Sequence, residues 1–405
     1  MSDRLKFFRK LMSAFEGTSN PQRAVERGFY INLPNNPVGE ITRRIELRPT
    51  SVHLLFGGIG SGKTTQLLLT QKALNKLEDI EAIYVDVSLV TDISDLKSGA
   101  LIVIAGLELI KTLGNIEEIE IQNARKTIHD LAYGFNDIKH IFSNHKETYN
   151  TIEKVVTFHS GILSDEKQRA RKKAAQAFGI LSNAVKQKIG KEIVFLFDGL
   201  DRLSNSQIFI DSAINDVIAI NNADAGAVIV GSISTAYQER EYIEQILGYS
   251  YFLPYLDTVE SVESRKFFYD ILEVRDPEHI IITEAGNLLI YNSGGVLRDL
   301  ISLCQAAIEE AYINGSEKVT VENANQAIMS LAHSKIMGMR FPETNINVLR
   351  EKVKDKSFSP RTSEDFDLLL AGYILEYRYP NRRFVVHPIL TAIIEAMNKL
   401  SLANG

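Results

Sequence analysis

The scarcities of this chain narrow its reading first. Among 405 residues there is one cysteine, Cys304. A lone thiol excludes an intrachain disulfide framework and fits a reducing, cytoplasmic setting. Cys304 falls in an apolar helical pattern, where cysteine acts as a small buried hydrophobe. No apolar run reaches the roughly 20 residues that a membrane-spanning helix needs. The longest, ALIVIAGLELI (Ala100 to Ile110), carries Glu108 and predicts a buried helix, so no membrane partner is expected. Positive charge is not in excess, with 45 Lys and Arg against 51 Asp and Glu. Any nucleic-acid contact must therefore come from a local basic site. No internal repeat, low-complexity tract or secretory signal is visible.

The chain is long enough for two or three domains. Residues 1–50 form an N-terminal extension. Within it Leu5, Phe8, Met12 and Phe15 share one helical face. That face either packs on its own domain or docks a partner. From residue 51 short β-branched runs (SVHLLF, EAIYVDV, EIVFLF, AGAVIVGSIS) alternate with helical patterns. This rhythm predicts an α/β core over 51–258, a parallel sheet with helices on both faces. A helical insertion occupies about 115–190. Its basic cluster, Lys167, Arg169, Arg171, Lys172 and Lys173, spreads around a helix and is expected to be a solvated surface. Residues 259–340 read as a helical lid. In 341–405 a helix precedes two strand-like runs flanking Pro380-Asn381, a turn signal.

Chemistry enters at GGIGSGKTT. Gly57, Gly62, Lys63 and Thr64 satisfy G-x-x-x-x-G-K-[ST]. The loop Gly57, Gly58, Gly60, Ser61, Gly62 can curl its N–H groups around phosphate oxygens. The helix that starts near Lys63 and continues through Thr64 and Thr65 adds its N-terminal donors. Lys63 is placed for the β- and γ-phosphates of ATP, and the Thr64 hydroxyl for magnesium. A buried strand ending in Asp198 supplies the carboxylate that holds the metal through water. The position after it, often a water-activating glutamate in such ATPases, is Gly199. Asp201 is then a candidate general base, or it pairs with Arg202 or caps a helix. In the next strand's end, Ser232, Ser234 and Thr235 offer a hydroxyl for the attacking water, or plain turn chemistry. Arg298, early in a lid helix, is placed for the γ-phosphate, or for a surface salt bridge.

Together these segments resemble AAA+ or STAND-type P-loop ATPases, and within them the origin-recognition ATPases and their bacterial relatives. The resemblance covers about residues 51–405. Its carriers are GGIGSGKTT as Walker A, IVFLFDGLD as Walker B, VIVGSIS as the sensor-1 strand and SGGVLRDLISLCQAAIEEA as the sensor-2 helix. Gly199 departs from the initiator pattern and brings DGLDR closer to the STAND and KAP types, which implies slow hydrolysis. The resemblance further implies a homo-oligomer in which an arginine completes the neighbouring site. Arg240 is the best-placed arginine, with Arg202 competing. It also implies a C-terminal winged helix. There Arg378, Arg382 and Arg383 crowd the hairpin turn and are candidates for DNA contact, unless the domain docks a protein effector. Replication, mobile-element targeting and anti-phage defence are all settings the resemblance allows.

Overall fold

The four β-branched runs do form strands. A computed structural model of the chain describes residues 3–16, 21–115, 117–134, 164–203, 205–339, 347–349, 351, 358–391 and 393–394. In chain order the principal elements begin with α1 (Asp3–Phe15), β1 (Val52–Gly57), α2 (Lys63–Leu74) and β2 (Ile80–Asp86). They continue with α3 (Ala100–Leu113), α4 (Ile119–Tyr133), α5 (Ser164–Ile189), β3 (Glu192–Asp198) and β4 (Gly226–Gly231). Next come α6 (Ile233–Gln238), α7 (Arg240–Leu247), β5 (Tyr249–Leu253), α8 (Val262–Arg275), α9 (Thr283–Asn292) and α10 (Leu297–Ile313). The last are α11 (Val321–Met337), α12 (Ser363–Leu370), β6 (Ile374–Tyr377) and β7 (Arg383–Val386).

The contacts divide the chain into two compact units. One comprises Pro37–Phe56 and Gln66–Phe252. Its sheet has the order β2-β3-β4-β1-β5. The pairs β1–β4, β3–β4 and β2–β3 are all parallel. Every residue of β1 and β4 is buried, as expected for strands covered on both faces. The sheet thus matches the expected P-loop core, with the strand of Asp198 separated from β1 by β4. The apolar run becomes α3, buried over nearly its whole surface against α4 and α5. Glu108 escapes burial by pairing with Lys111 at 2.6 Å.

The N-terminus of α3 explains one member of the basic cluster. Asp216, fully buried, accepts from the N–H groups of Gly99 and Leu101 and pairs with Arg171 Nε at 3.2 Å. Arg171 is therefore a half-buried structural partner, contrary to the solvated face expected for it. Arg169, Lys172 and Lys173 are exposed, and the Lys167 side chain lies outside the described residues. Burial pushes the Asp216 carboxyl up to about 7, against the opposing pull of Arg171 and the helix N–H groups.

The other unit comprises Met1–Asn36, Gly57–Thr65 and Leu253–Gly405. Helices α8 to α11 fill the stretch read as a lid. Helix α1 packs on α10, with Phe8, Leu11 and Phe15 buried. Arg4 donates to the carbonyls of Ala311, Tyr312 and Ser316 at 2.9–3.1 Å. Ala311 and Tyr312 lie in the last turn of α10, where a cation complements the helix dipole, and Ser316 follows it. The N-terminal helix thus belongs to its own unit, one of the two readings its face allowed. Cys304 is buried in α10, and burial raises its thiol far above the usual range. At the tail, β6 and β7 form an antiparallel hairpin across the expected turn. Helix α12 before it is capped by Thr362 with Asp365 in a reciprocal box.

Candidate nucleotide-binding site

The glycine loop is built within the second unit. Gly60 has φ +81°, and a Cβ placed there would meet Val296 Cγ1 at 2.9 Å and Arg298 Cβ at 3.1 Å. Only glycine lets the start of α10 approach the loop so closely. The Tyr255 ring lies against Gly58 in the same way, and its hydroxyl donates to the Ile59 carbonyl at 3.0 Å. Lys63 is buried, and its Nζ donates to the carbonyls of Gly57 and Gly58 at 2.8 Å each. Thr64 and Thr65 are half-buried in the first turn of α2. Ser61 Oγ is buried in the loop without a hydrogen-bond partner in the protein. An orphaned hydroxyl in a loop of this sequence fits a polar ligand such as a phosphate.

Arg298 is exposed on the first turn of α10, its stem beside Gly60. The next residue, Asp299, anchors that turn. It accepts from His387 Nε2 at 2.9 Å and pairs with Lys335 at 2.9 Å. His387 Nδ1 accepts from the Ile389 N–H, so the imidazole carries its proton on Nε2. Burial works to raise the Asp299 carboxyl, but His387 and Lys335 outweigh it and hold Asp299 at about 2.

A chain of contacts runs from this turn to the tail. Tyr255, Val296, Leu375 and Tyr377 form one buried cluster, with Val385 packed against it. Tyr255 and Tyr377 also share a backbone bridge, and the Tyr377 hydroxyl donates to the Gly294 carbonyl at 2.7 Å. The residues on the glycine loop and those of the hairpin therefore touch the same few side chains.

The hairpin arginines are held by carboxylates of their own unit. Arg378 and Arg382 donate from Nε to Glu376 Oε1, at 3.0 and 3.1 Å. Arg383 Nε donates to Asp257 Oδ2 at 2.8 Å, and its guanidinium lies 4.9 Å from the Tyr377 ring centre. Asp257 is fully buried and also accepts from the N–H groups of Val259 and Glu260. Arg382 is the most exposed of the three, at 57% of its side chain. Arg383 is thus a structural tie, where the hairpin pattern suggested a free tip.

In the sheet unit, Asp198 ends β3. Its Oδ1 accepts from the Gly199 N–H at 2.7 Å and its Oδ2 from the Tyr84 hydroxyl at 2.8 Å. Burial, then the neighbouring Asp198 charge, raises the Tyr84 phenol far above its ordinary value, so it stays protonated and donates. Gly199 takes φ +83° and starts a tight turn, Leu200–Arg202, that carries Asp201 half-buried. Ser232 caps α6 through the Thr235 N–H, and its Oγ meets Ser234 Oγ at 2.8 Å and Thr235 Oγ1 at 2.9 Å. These buried hydroxyls are engaged with one another, the turn chemistry that was one of their two readings. Arg240 opens α7, and its side chain lies outside the described residues.

The sequence reading missed Tyr84, Asp86 and Tyr255. A signal for Asp86 was present. It ends β2 as Asp198 ends β3, and ligands of open α/β sheets gather at carboxyl ends of strands.

No protein-family model matches the chain, and no curated protein matches it in sequence. Solved structures do. The chain is similar to the Aeropyrum pernix ORC1 protein in complex with DNA, at 13% identity and TM-score 0.44, over 93% of this chain and 96% of that one. It is similar to the Aeropyrum pernix ORC2 protein in its ADP form, at 14% identity and TM-score 0.41, over 93% and 98%. A third is the Thermotoga maritima RuvB Holliday junction branch migration motor, at 13% identity and TM-score 0.40, over 90% and 95%. Among the described residues no helix is long and apolar enough to cross a membrane.

The side chains expected at a metal, Thr64 and Asp198, present oxygen only. Oxygen donors are what magnesium takes, usually one or two from protein with the rest from phosphates and water.

Proposed function

We propose that the chain is an ATP-binding, slowly hydrolysing switch whose state is read by its C-terminal hairpin. Lys63 serves the β- and γ-phosphates, Thr64 and Asp198 hold magnesium, and Arg298 senses the γ-phosphate from the lid. The observation that carries this reading is the approach of Val296 and Arg298 to Gly60 in the phosphate loop. That approach supports a role for Arg298 in distinguishing a triphosphate from a diphosphate. The buried cluster of Tyr255, Val296, Leu375 and Tyr377 gives the loop a route to β6 and β7.

The output is proposed to be DNA association, in a homo-oligomer whose neighbouring subunit supplies an arginine such as Arg240. The test measures affinity for duplex DNA with ATP, with ADP and with neither, across a salt series. Counterion release predicts that log affinity falls steeply with log salt. An ATP-dependent affinity with that slope supports the reading.

A second reading has one specific observation in its favour. Arg378, Arg382 and Arg383 are paired with Glu376 and Asp257. A hairpin neutralised in this way suits docking of a protein effector, and ATP would then drive assembly of a signalling scaffold. Absence of DNA binding at low salt, with ATP bound, selects it.

A further inference from the structure

Arg298 and Asp299 are neighbours in the stretch SGGVLRDL, and a helix sets consecutive residues about 100° apart. Arg298 is therefore exposed with its stem beside Gly60, while Asp299 is buried on another face. A buried carboxylate needs partners, and Asp299 has two. Lys335 reaches it from α11 at 2.9 Å, and His387, the residue after β7, also at 2.9 Å. The His387 ring is wholly buried, whereas Lys335 is half-buried.

His387 is itself fixed. Its backbone N–H donates to the Tyr373 carbonyl at 2.9 Å, and its Nδ1 accepts from the Ile389 N–H at 3.3 Å. Burial lowers the imidazole, against the opposing pull of Asp299, so a neutral ring donates to an ionised carboxylate. The turn before α10 lets the tail come this close. Gly294 has φ +60°, and a Cβ on it would meet Leu375 Cδ1 at 2.5 Å and Pro388 Cδ at 2.9 Å. Its carbonyl accepts from the Tyr377 hydroxyl at 2.7 Å. The turn that brings Arg298 to the glycine loop is thus gripped from the tail by β6, by the end of β7 and by His387. All these residues belong to one compact unit.

We propose that His387 is the positioning residue for Arg298: through its bond to Asp299, the tail sets where the first turn of α10 presents Arg298 to the glycine loop. This rests on the reading of Arg298 as the residue that distinguishes ATP from ADP. His387 itself touches no nucleotide. Its ring holds Asp299, Asp299 holds the turn, and the turn holds Arg298 beside Gly60. Coupling between two binding events is reciprocal. A ligand that draws His387 away from Asp299 therefore changes the ratio of ATP to ADP affinity. Exchange of ADP for ATP changes the affinity for that ligand by the same factor.

The experiment measures the affinity of the full-length protein for ADP and for a non-hydrolysable ATP analogue, with magnesium, by isothermal titration. His387→Phe keeps a buried ring and removes the donor. Its ADP affinity should stay within about twofold of wild type. Its ratio of ATP-analogue to ADP affinity should fall about fivefold or more, the lower end of typical couplings between sites. His387→Gln, whose side-chain amide again donates to Asp299, should restore the ratio to within about twofold. In an Arg298→Ala background His387→Phe should change the ratio no further, as expected of two residues acting as one unit. Three results overturn the proposal and leave the role of Arg298 standing: an unchanged ratio or an equal loss for both nucleotides in His387→Phe, no recovery in His387→Gln, or the same drop in the Arg298→Ala background. If His387→Phe does not fold, Asp299→Asn, which weakens the same bond from the other side, is judged by the same outcomes. An Arg298→Ala protein that keeps the wild-type ratio, or a wild type that binds neither nucleotide, overturns both readings.

Discussion

The Tyr255 hydroxyl donates to the Ile59 carbonyl at 3.0 Å, inside the phosphate loop, while the Tyr255 ring belongs to the cluster that includes Tyr377. One side chain therefore meets both the loop and the hairpin strand. Tyr255→Phe removes only the hydroxyl. A neutral hydrogen bond contributes about 1 kcal/mol, so stability should fall by about that amount and ATP affinity by at most about fivefold. Tyr255→Ala should lower the melting temperature as well, since the ring is buried. Isothermal titration and thermal melting check both.

Lys63→Ala should abolish productive ATP binding. The ammonium is buried among loop carbonyls, and no other residue of Gly57 to Thr65 carries a positive charge. An unchanged nucleotide affinity on titration would remove the phosphate-loop assignment.

These residues were legible before the fold was. The G-x-x-x-x-G-K-[ST] spacing and the buried strand into Asp198 are local patterns, and the structure gives a loop that runs into α2 and a strand, β3, that ends at Asp198. Arg298 was legible as a residue near the start of a helix, and it lies on the first turn of α10. What stayed hidden depends on strand register. Asp86 pairs with Asp198 because β2 lies beside β3, and no local window in a sequence shows which strands are neighbours. Arg171 and Arg383 looked like surface cations because their partners, Asp216 and Asp257, are distant in sequence. The glycine at 199 was visible as a departure, but its reason, the Asp86 carboxylate that a Cβ there would meet, was not.

Arg298→Ala should separate binding from response. ADP affinity should hardly change, whereas the preference for ATP and any ATP-dependent assembly should weaken. Equal losses for ADP and ATP, measured by titration, would mark Arg298 as structural.

The hairpin arginines should behave differently from one another. Arg383→Ala leaves the buried Asp257 carboxylate without its cation and should cost about 1.5–3 kcal/mol, the range of hydrogen bonds to charged groups. Arg382→Ala removes a mostly exposed partner and should cost less than about 1 kcal/mol. Urea denaturation of the two variants gives the comparison. Arg382→Ala is therefore the cleaner probe of DNA contact, flattening the salt slope by about 0.9 if it removes one phosphate contact.

A pH dependence follows from His53. It is buried in β1, bonded to Ser51 Oγ at 2.8 Å and the Tyr251 hydroxyl at 3.2 Å. Burial, with the Arg44 guanidinium adding to it, lowers the imidazole from 6.5 to about 3. The unfolded chain then binds the extra proton below pH 6.5, so stability due to neutral His53 is complete above that pH and is lost progressively toward pH 3. Asp216, with its carboxyl raised, acts in the opposite direction. The check is therefore a difference. The stability gap between wild type and His53→Gln, from urea melts, should narrow as pH falls from about 7 to 4. A gap that stays constant would contradict it.

The most direct test of the switch is hydrogen exchange in the hairpin, followed by mass spectrometry with ATP and magnesium, with ADP, and in Lys63→Ala. If the nucleotide loop is read by the tail, amides of Ile374 to Tyr377 and Arg383 to Val386 should exchange at a different rate with ATP than with ADP. That difference should vanish in Lys63→Ala. Hairpin exchange that is identical in all three conditions, while titration shows ATP bound to the wild type, would contradict the account.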